Sequence, residues 1–177
     1  MRSKRKQILI LLLFVLFIIE GTIIPWIIPD SWQTRVVPHL AYIAILFITV
    51  YDNRHSGLVL GLLFGLLQDV VFYGSIIGAY SFAMGLSSYL LGLVFRSPRA
   101  PLPLMMIVIM IGSILLDSIL FATYSLFELT HQPYTWALMN HIIPNVFVHI
   151  VFALAIYVPL RRQLELITKR RSSESQA

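Results

Sequence analysis

Most of this chain is a succession of apolar runs, which is the feature that most restricts how it can fold. Hydrophobic residues make up 58% of its 177 residues, and the runs recur from residue 8 to residue 160 with only short polar breaks. A membrane-spanning helix needs about 20 mostly apolar residues. The runs are continuous rather than alternating, which argues against membrane β-strands. The sequence therefore predicts an all-α polytopic membrane protein.

Six apolar segments are separated by polar or turn-forming residues. Hydropathy places these candidate spans at Ile8–Ile28, Val36–Tyr51, Gly57–Tyr73, Ser75–Phe95, Leu102–Phe127 and Tyr134–Leu160. The second and third are short for a span, which we attribute to snorkelling flanking side chains or to a thinner bilayer. We expect a compact bundle of six transmembrane helices over residues 1–160. A basic cytoplasmic tail, disordered at its end, is expected over residues 161–177.

The basic residues predict the orientation of the bundle. If all six segments cross the membrane, Arg35 alone falls on one side. The other side then carries twelve Lys and Arg residues, namely Arg2, Lys4, Arg5, Lys6, Arg54, Arg96, Arg99, Arg161, Arg162, Lys169, Arg170 and Arg171. Because short cytoplasmic loops are rich in Lys and Arg, both termini are predicted to be cytoplasmic. The net charge of +5 then reflects topology and attraction to anionic lipid, not nucleic-acid binding.

Two rows of small residues follow one another in the third and fourth segments. The first row has a spacing of four residues and consists of Gly57, Gly61, Gly65 and Asp69. The second has spacings of three and four residues and consists of Gly78, Ser81, Gly85, Ser88 and Gly92. Small residues let helix backbones approach closely in lipid. We expect the two rows to pack against each other, with docking of a partner's transmembrane helix as the alternative. Gly57, at the inner end of its row, is expected to tolerate a larger side chain better than Gly85.

Polar residues inside the apolar segments form the candidate site. These residues are Glu20, Asp69, Asp117, His141 and Asn145. An Asp at the bilayer centre costs roughly 3 kcal/mol on insertion scales, so each acid is expected to face the bundle interior. Asp69 has two interpretations, a structural acceptor at the turn after its helix or a functional charge. The structural interpretation predicts that Asn can replace Asp69.

The last segment supplies matching polarity. His141, Asn145 and His149 recur every four residues beside Pro144, whereas His39 carries no signal of its own. Such histidines most often form hydrogen bonds across helices. A histidine–carboxylate metal or proton site at His141 is the less favoured alternative.

Motifs of enzymes and cofactor-binding proteins are missing from the sequence. It contains no HExxH, GxSxG, GxxxxGK[ST] or GxGxxG pattern and no cysteine. No nucleophile is paired with a base at a recognisable spacing. We therefore expect no enzymatic activity, no cofactor and no metal.

The stretch that begins at Val37 and includes both rows of small residues resembles the rod shape-determining protein MreD family. The resemblance rests on Pro38 before the second helix, on Gly65-x-x-x-Asp69 at the end of the third, and on Gly78 opening the fourth. Glu20 and the late Ile143-Pro144 pair also fit, as do the chain length and the six spans.

The resemblance implies a non-enzymatic, multi-pass subunit of the bacterial cell (inner) membrane that takes part in cell elongation. The implied partners are an MreC-like bitopic protein, the enzymes PBP2 and RodA, membrane lipid and, indirectly, MreB filaments. With them it would help position or regulate side-wall peptidoglycan synthesis and maintain rod shape. No nucleic acid is implied.

The MreD family also resembles the six-helix substrate-binding component of energy-coupling-factor transporters, which gives an alternative function, small-molecule binding within the membrane. Against that alternative, the first helix is bulky, "ILILLLFVLFII", and lacks the small-residue row that those components use to meet their coupling subunit. An intramembrane enzyme or proton-coupled carrier is a third, minor alternative. It would rest only on the three acids and His141.

Overall fold

All regular structure in the described part of the chain is helical. The computed structural model describes residues 2–29, 32, 35–72, 74–97 and 100–174, and within them the side chains from residue 7 to residue 164. The helices are α1 (Arg2–Thr22), α2 (Ile24–Ile27), α3 (Leu40–Tyr51), α4 (Arg54–Val71), α5 (Ala79–Val94), α6 (Leu102–Leu126), α7 (Tyr134–Ala137) and α8 (Ile143–Glu174). The single-turn α2 continues α1, and a π-helical turn, Leu138–Ile142, joins α7 to α8. The six apolar segments thus correspond to six helical rods, and the all-α prediction is confirmed.

The rods alternate in direction, which gives the bundle two distinct ends. At one end, Glu20 near the end of α1 contacts the start of α3. At the other end, the hydroxyl of Tyr51, the last residue of α3, donates to the carbonyl of Ala100 at 2.9 Å. We call the first end distal, because it lies away from the N-terminus, and the second end proximal.

Helix α3 is the centre of the bundle. All twelve of its residues are buried, as expected for a helix that is apolar all round. At about 1.5 Å per residue it is about 18 Å long, well short of a hydrocarbon core of about 30 Å. Protein encloses α3, and neighbouring residues serve its distal and proximal ends, whereas the attribution of its shortness to snorkelling or bilayer thinning stays a prediction.

Among the described residues, three rods are long and apolar enough to cross a membrane by themselves. They are Gln7–Ile27, Leu102–Leu126 and Tyr134–Leu164, while α3 and α5 are shorter apolar helices. These lengths are consistent with a multi-pass membrane protein. The number of crossings and the side on which the termini lie stay predictions.

Helices α4 and α5 form a hairpin with very close backbones. A Cβ atom on Gly61 would lie 2.7 Å from the carbonyl oxygen of Met84, and one on Gly65 would lie 2.5 Å from the Cα of Ser81. A Cβ on Gly85 would lie 2.8 Å from Cδ2 of Leu62. At Gly61 and Gly65 the colliding atoms are backbone, so glycine is required there for the helices to pack as they do, whereas at Gly85 the Leu62 side chain would have to shift.

Two glycines of the predicted rows, Gly57 and Gly78, do not lie in the close contact between α4 and α5. Gly57 faces Thr49 of α3 so closely that a Cβ would collide with the Thr49 side chain. The structure therefore contradicts the expectation that Gly57 tolerates a larger residue better than Gly85 does. A Cβ on Gly78 would meet no atom within 4 Å, but the residue adopts a φ of 102°. Its assignment to helix packing is wrong, because what requires glycine there is the left-handed backbone before α5.

The last rod departs from the predicted segment at both ends of α8. Pro144 lacks an N–H and its ring crowds the carbonyl of Asn140, which accounts for the π-helical turn that precedes it. Beyond Leu160, α8 continues to Glu174, and Leu164 is buried in the core. The division into a domain and a tail stays a prediction, and residues 175–177 lie outside the described residues.

Candidate functional site

Three side chains from other helices hold the distal start of α3. The first N–H groups of a helix have no partner within the helix, and in a membrane core water does not serve them. Here the donor–acceptor pairs are Val37 N to Asn145 Oδ1 (2.9 Å), His39 N to His149 Nε2 (2.9 Å) and Ala41 N to Glu20 Oε2 (3.3 Å). The start of α3 is therefore bonded to α1 on one side and to α8 on the other.

Glu20 connects three helices. Its side chain is buried, with 6% of the residue exposed. Besides Ala41 N, its carboxylate accepts a hydrogen bond from Nε2 of Gln68 on α4 at 2.9 Å. Its Oε1 also lies 3.4 Å from Nδ1 of His39. A carboxylate with this many donors is satisfied without water.

His149 acts as an acceptor towards α3 and as a donor towards α6. Because its Nε2 accepts from the backbone N–H of His39, Nδ1 carries the ring hydrogen. Nδ1 lies 2.7 Å from the hydroxyl oxygen of Ser113 and donates to it. In this tautomer His149 has no free lone pair to take a proton from Ser113. The pair therefore lacks the arrangement of a nucleophile with its base.

Asn145 links the start of α3 to an acid on α6. Its Oδ1 accepts from Val37 N, so its Nδ2 points the other way and donates to Oδ2 of Asp117 at 3.1 Å. The two partners fix the orientation of the amide. We call the whole set the polar network, comprising Glu20, His39, Gln68, Ser113, Asp117, Asn145 and His149.

Asp69 caps the start of α5 from the end of α4. Only 1% of the residue is exposed. Its Oδ2 accepts from the backbone N–H groups of Gly78 and Ser81 at 3.0 and 3.1 Å, and its Oδ1 accepts from that of Tyr80 at 3.1 Å. Gly78, at the N-cap position, has no side chain to do this. A carboxylate is also favourable at a helix N-terminus, where the helix dipole is positive.

The candidate residues from the sequence fall into three groups. Glu20, Asp117 and Asn145 belong to the polar network, and Asp69 forms its own cap. His141 does not join them, because its half-buried ring packs edge-on against Trp136 with ring centroids 5.1 Å apart. This packing does not support the suggestion of a site at His141, which stays a prediction.

Four members of the polar network are absent from the predicted site, namely His39, Gln68, Ser113 and His149. His149 had a signal, since it continues the four-residue row of His141 and Asn145. His39 had no signal of its own in the sequence, yet both its backbone and its ring are in the network. Among the described residues, no group of three or more His, Cys, Asp or Glu side chains is arranged to hold a metal ion.

Comparisons with known proteins agree with the resemblance. Residues 1–164 match the family described as rod shape-determining protein MreD. A rod shape-determining protein MreD of Bacillus subtilis (strain 168) is 23% identical over 124 residues, which cover 70% of this chain and 72% of that protein. No solved structure matches the chain, so the likeness to energy-coupling-factor components stays a prediction. With a family match over nearly all of its length, this chain belongs to the rod shape-determining protein MreD family.

Proposed function

We propose that this chain is a non-enzymatic scaffold subunit of the bacterial cell-elongation complex in the inner membrane. Its family gives it a role in rod shape determination. The proposal adds that it works with an MreC-like bitopic protein, with PBP2 and RodA, and indirectly with MreB filaments. Through them it would help direct side-wall peptidoglycan synthesis.

The non-enzymatic part of the proposal rests on the hydrogen bonds that the acids inside the bundle accept. Glu20 and Asp69 accept hydrogen bonds from backbone N–H groups at the starts of α3 and α5, and Asp117 accepts from the amide that holds Val37. Glu20 and Asp69 therefore stabilise helix starts, and Asp117 orients the amide that binds the segment leading into α3. A catalytic acid would instead need to reach a substrate atom.

The proposed orientation places the distal end outside the cytoplasm. It follows from the twelve-to-one distribution of basic residues. Trp26, which is 91% exposed, and Trp136 both lie at the distal end, and tryptophan is enriched at membrane interfaces. Reporter fusions after Arg54 and Arg171 should read as cytoplasmic, and a fusion after Gln132 as external. An external result at Arg54 would contradict the orientation.

Copurification tests the partners. The full chain would be tagged at its C-terminus, expressed as the only copy in its own cells, and purified in a mild detergent. Mass spectrometry of the bound proteins should find a bitopic MreC-like protein above the level of an unrelated six-span protein prepared in parallel. Recovery of a pair of ATPases together with a bound small molecule would instead support the transporter alternative.

A further inference from the structure

The side chain of Arg54, at the proximal end, packs on the surface of the α4–α5 hairpin. Arg54 begins α4 and packs against α5, where a Cβ on Gly92 would lie 2.8 Å from the Cα of Arg54. Its guanidinium lies 5.7 Å from the ring centroid of Tyr89, one helical turn before Gly92. The ring of His55 lies 6.0 Å from the same Tyr89 ring. Both basic side chains, which are exposed, therefore converge on one half-buried aromatic ring.

No protein carboxylate neutralises this arginine in the part of the chain that is described. The ion pair found there joins Glu20 and His39 at the opposite end of the bundle. Asp52, the acid nearest in sequence, accepts a hydrogen bond from the hydroxyl of Ser56 at 2.8 Å. The guanidinium is thus held by an aromatic ring, with no described anion paired to it.

Exposed apolar side chains follow Arg54 on α4 and Tyr89 on α5. Val59 on α4 and Leu90 and Leu93 on α5 lie within about a turn or two of Arg54 or Tyr89 in sequence, and all three are exposed. In a membrane protein such side chains face lipid. An arginine beside such an apolar surface is stabilised by pairing with an anion, and at a membrane interface a lipid headgroup can supply one.

We propose that Arg54, held on the ring of Tyr89 beside His55, binds the phosphate of an anionic phospholipid at the proximal end of the α4–α5 hairpin. Two N–H groups of a guanidinium match the spacing of two phosphate oxygens, which a lysine would not provide. The cation–π contact with Tyr89 keeps the guanidinium at one place on the surface. Anionic lipids are enriched in the cytoplasmic leaflet, where the proposed orientation puts this end. The site depends on none of the protein partners proposed above.

Lipid retention by the purified full chain tests this site. The protein would be incubated with vesicles of phosphatidylglycerol and phosphatidylcholine in equal amounts, re-extracted in mild detergent, and analysed for bound lipid by native mass spectrometry. The wild type should retain phosphatidylglycerol in preference to phosphatidylcholine. Arg54→Gln should lower the retention of phosphatidylglycerol about fivefold to tenfold, because it removes a charge-assisted bidentate contact. Arg162→Gln, at an exposed arginine on α8, is the control with the same change of charge.

Two further variants distinguish a specific lipid-binding site from general electrostatic attraction to anionic lipid. Tyr89→Phe keeps the ring and should bind as the wild type does, whereas Tyr89→Leu keeps the charge of Arg54 but should weaken retention. These variants also keep the proposal testable if Arg54→Gln does not fold. Equal losses for Arg54→Gln and Arg162→Gln would overturn the proposal. So would displacement of the bound lipid by inorganic phosphate at millimolar concentration, because the ligand would then be free phosphate rather than a headgroup.

Discussion

The carboxylate of Asp69 accepts a hydrogen bond from the backbone N–H of Gly78 at 3.0 Å, which ties the end of α4 to the residue that precedes α5. The left-handed φ of Gly78 turns the chain sharply there. The same carboxylate serves two N–H groups in the first turn of α5. An acid in an apolar segment thus replaces the water that would serve a helix start in a soluble protein.

Substitutions of Asp69 should show that both of its oxygens matter. Asp69→Leu leaves three backbone donors unsatisfied, each costing about 1–3 kcal/mol. Asp69→Asn should be intermediate, because its amide nitrogen would point a donor at the N–H of Tyr80. This revises the expectation from the sequence that Asn can replace Asp69. Thermal unfolding in detergent should rank the wild type above Asp69→Asn, and Asp69→Asn above Asp69→Leu.

The matched control for Asp69 is Glu128→Gln, the same acid-to-amide change at an exposed position. It should leave the unfolding temperature unchanged, since an exposed charge contributes little to stability. An Asp69→Asn variant as stable as the wild type would show that one oxygen suffices for the cap.

The contact between Glu20 and Gln68 should be measurable as a coupling energy. A double-mutant cycle would combine Glu20→Leu with Gln68→Leu and compare both with the single variants. Hydrogen bonds between membrane helices average about 0.6 kcal/mol and reach about 1.7 kcal/mol, and we expect a value in the upper part of that range because the pair is buried. A coupling energy of zero would mean that the bond does not hold α1 to α4.

The two histidines of the last rod, His141 and His149, should differ sharply in their contribution to stability. His149→Leu removes the acceptor of His39 N and the partner of Ser113, so it should cost about 1–3 kcal/mol. His141→Leu replaces a half-buried ring outside the polar network and should change stability by about 0.5 kcal/mol or less. Denaturation of both variants in the same detergent compares them. A larger effect at His141 would support the less favoured alternative from the sequence, a site at His141.

Gly65→Ala and Gly57→Ala should both destabilise the bundle. The added methyl group at Gly65 meets the backbone of Ser81, and at Gly57 it meets the side chain of Thr49. Overpacking of this kind typically costs about 1–3 kcal/mol. Gly74→Ala should be milder than either, because its Cβ would lie 3.2 Å from Oδ1 of Asp69, a contact that a shift of a few tenths of an ångström relieves. If Gly57→Ala is as mild as Gly74→Ala, then Thr49 moves aside at little cost.

Local patterns predicted the parts of this fold that depend on nearby residues. Continuous apolar runs indicated the six rods, and the spacing of Gly61, Gly65 and Gly85 indicated two helices in close contact. The position of Asp69 before a short glycine-containing turn indicated an acceptor at that turn. Its donors lie only nine to twelve residues later in the chain.

The polar network could not be predicted in the same way, because its partners are distant in sequence. Val37 and Asn145 are separated by 108 residues, and His39 and His149 by 110. His39 lies just before α3, where hydropathy shows only a helix end. Its role becomes visible once α8 is placed beside α3. The row of His141, Asn145 and His149 indicated a polar face on the last helix. Only the packing shows that Asn145 and His149 reach the start of α3 and that His141 does not.

If the acids inside the bundle serve only as hydrogen-bond acceptors in a scaffold, the charge of Asp117 should be dispensable, because Asn keeps an acceptor for Nδ2 of Asn145. The most direct measurement is cell width in a rod-shaped bacterium whose only copy carries Asp117→Asn, at a protein level matched to the wild type by immunoblot. We predict rods of normal width for Asp117→Asn. Round or widened cells at a normal level of folded protein would contradict this account, because the charge itself would then be functional.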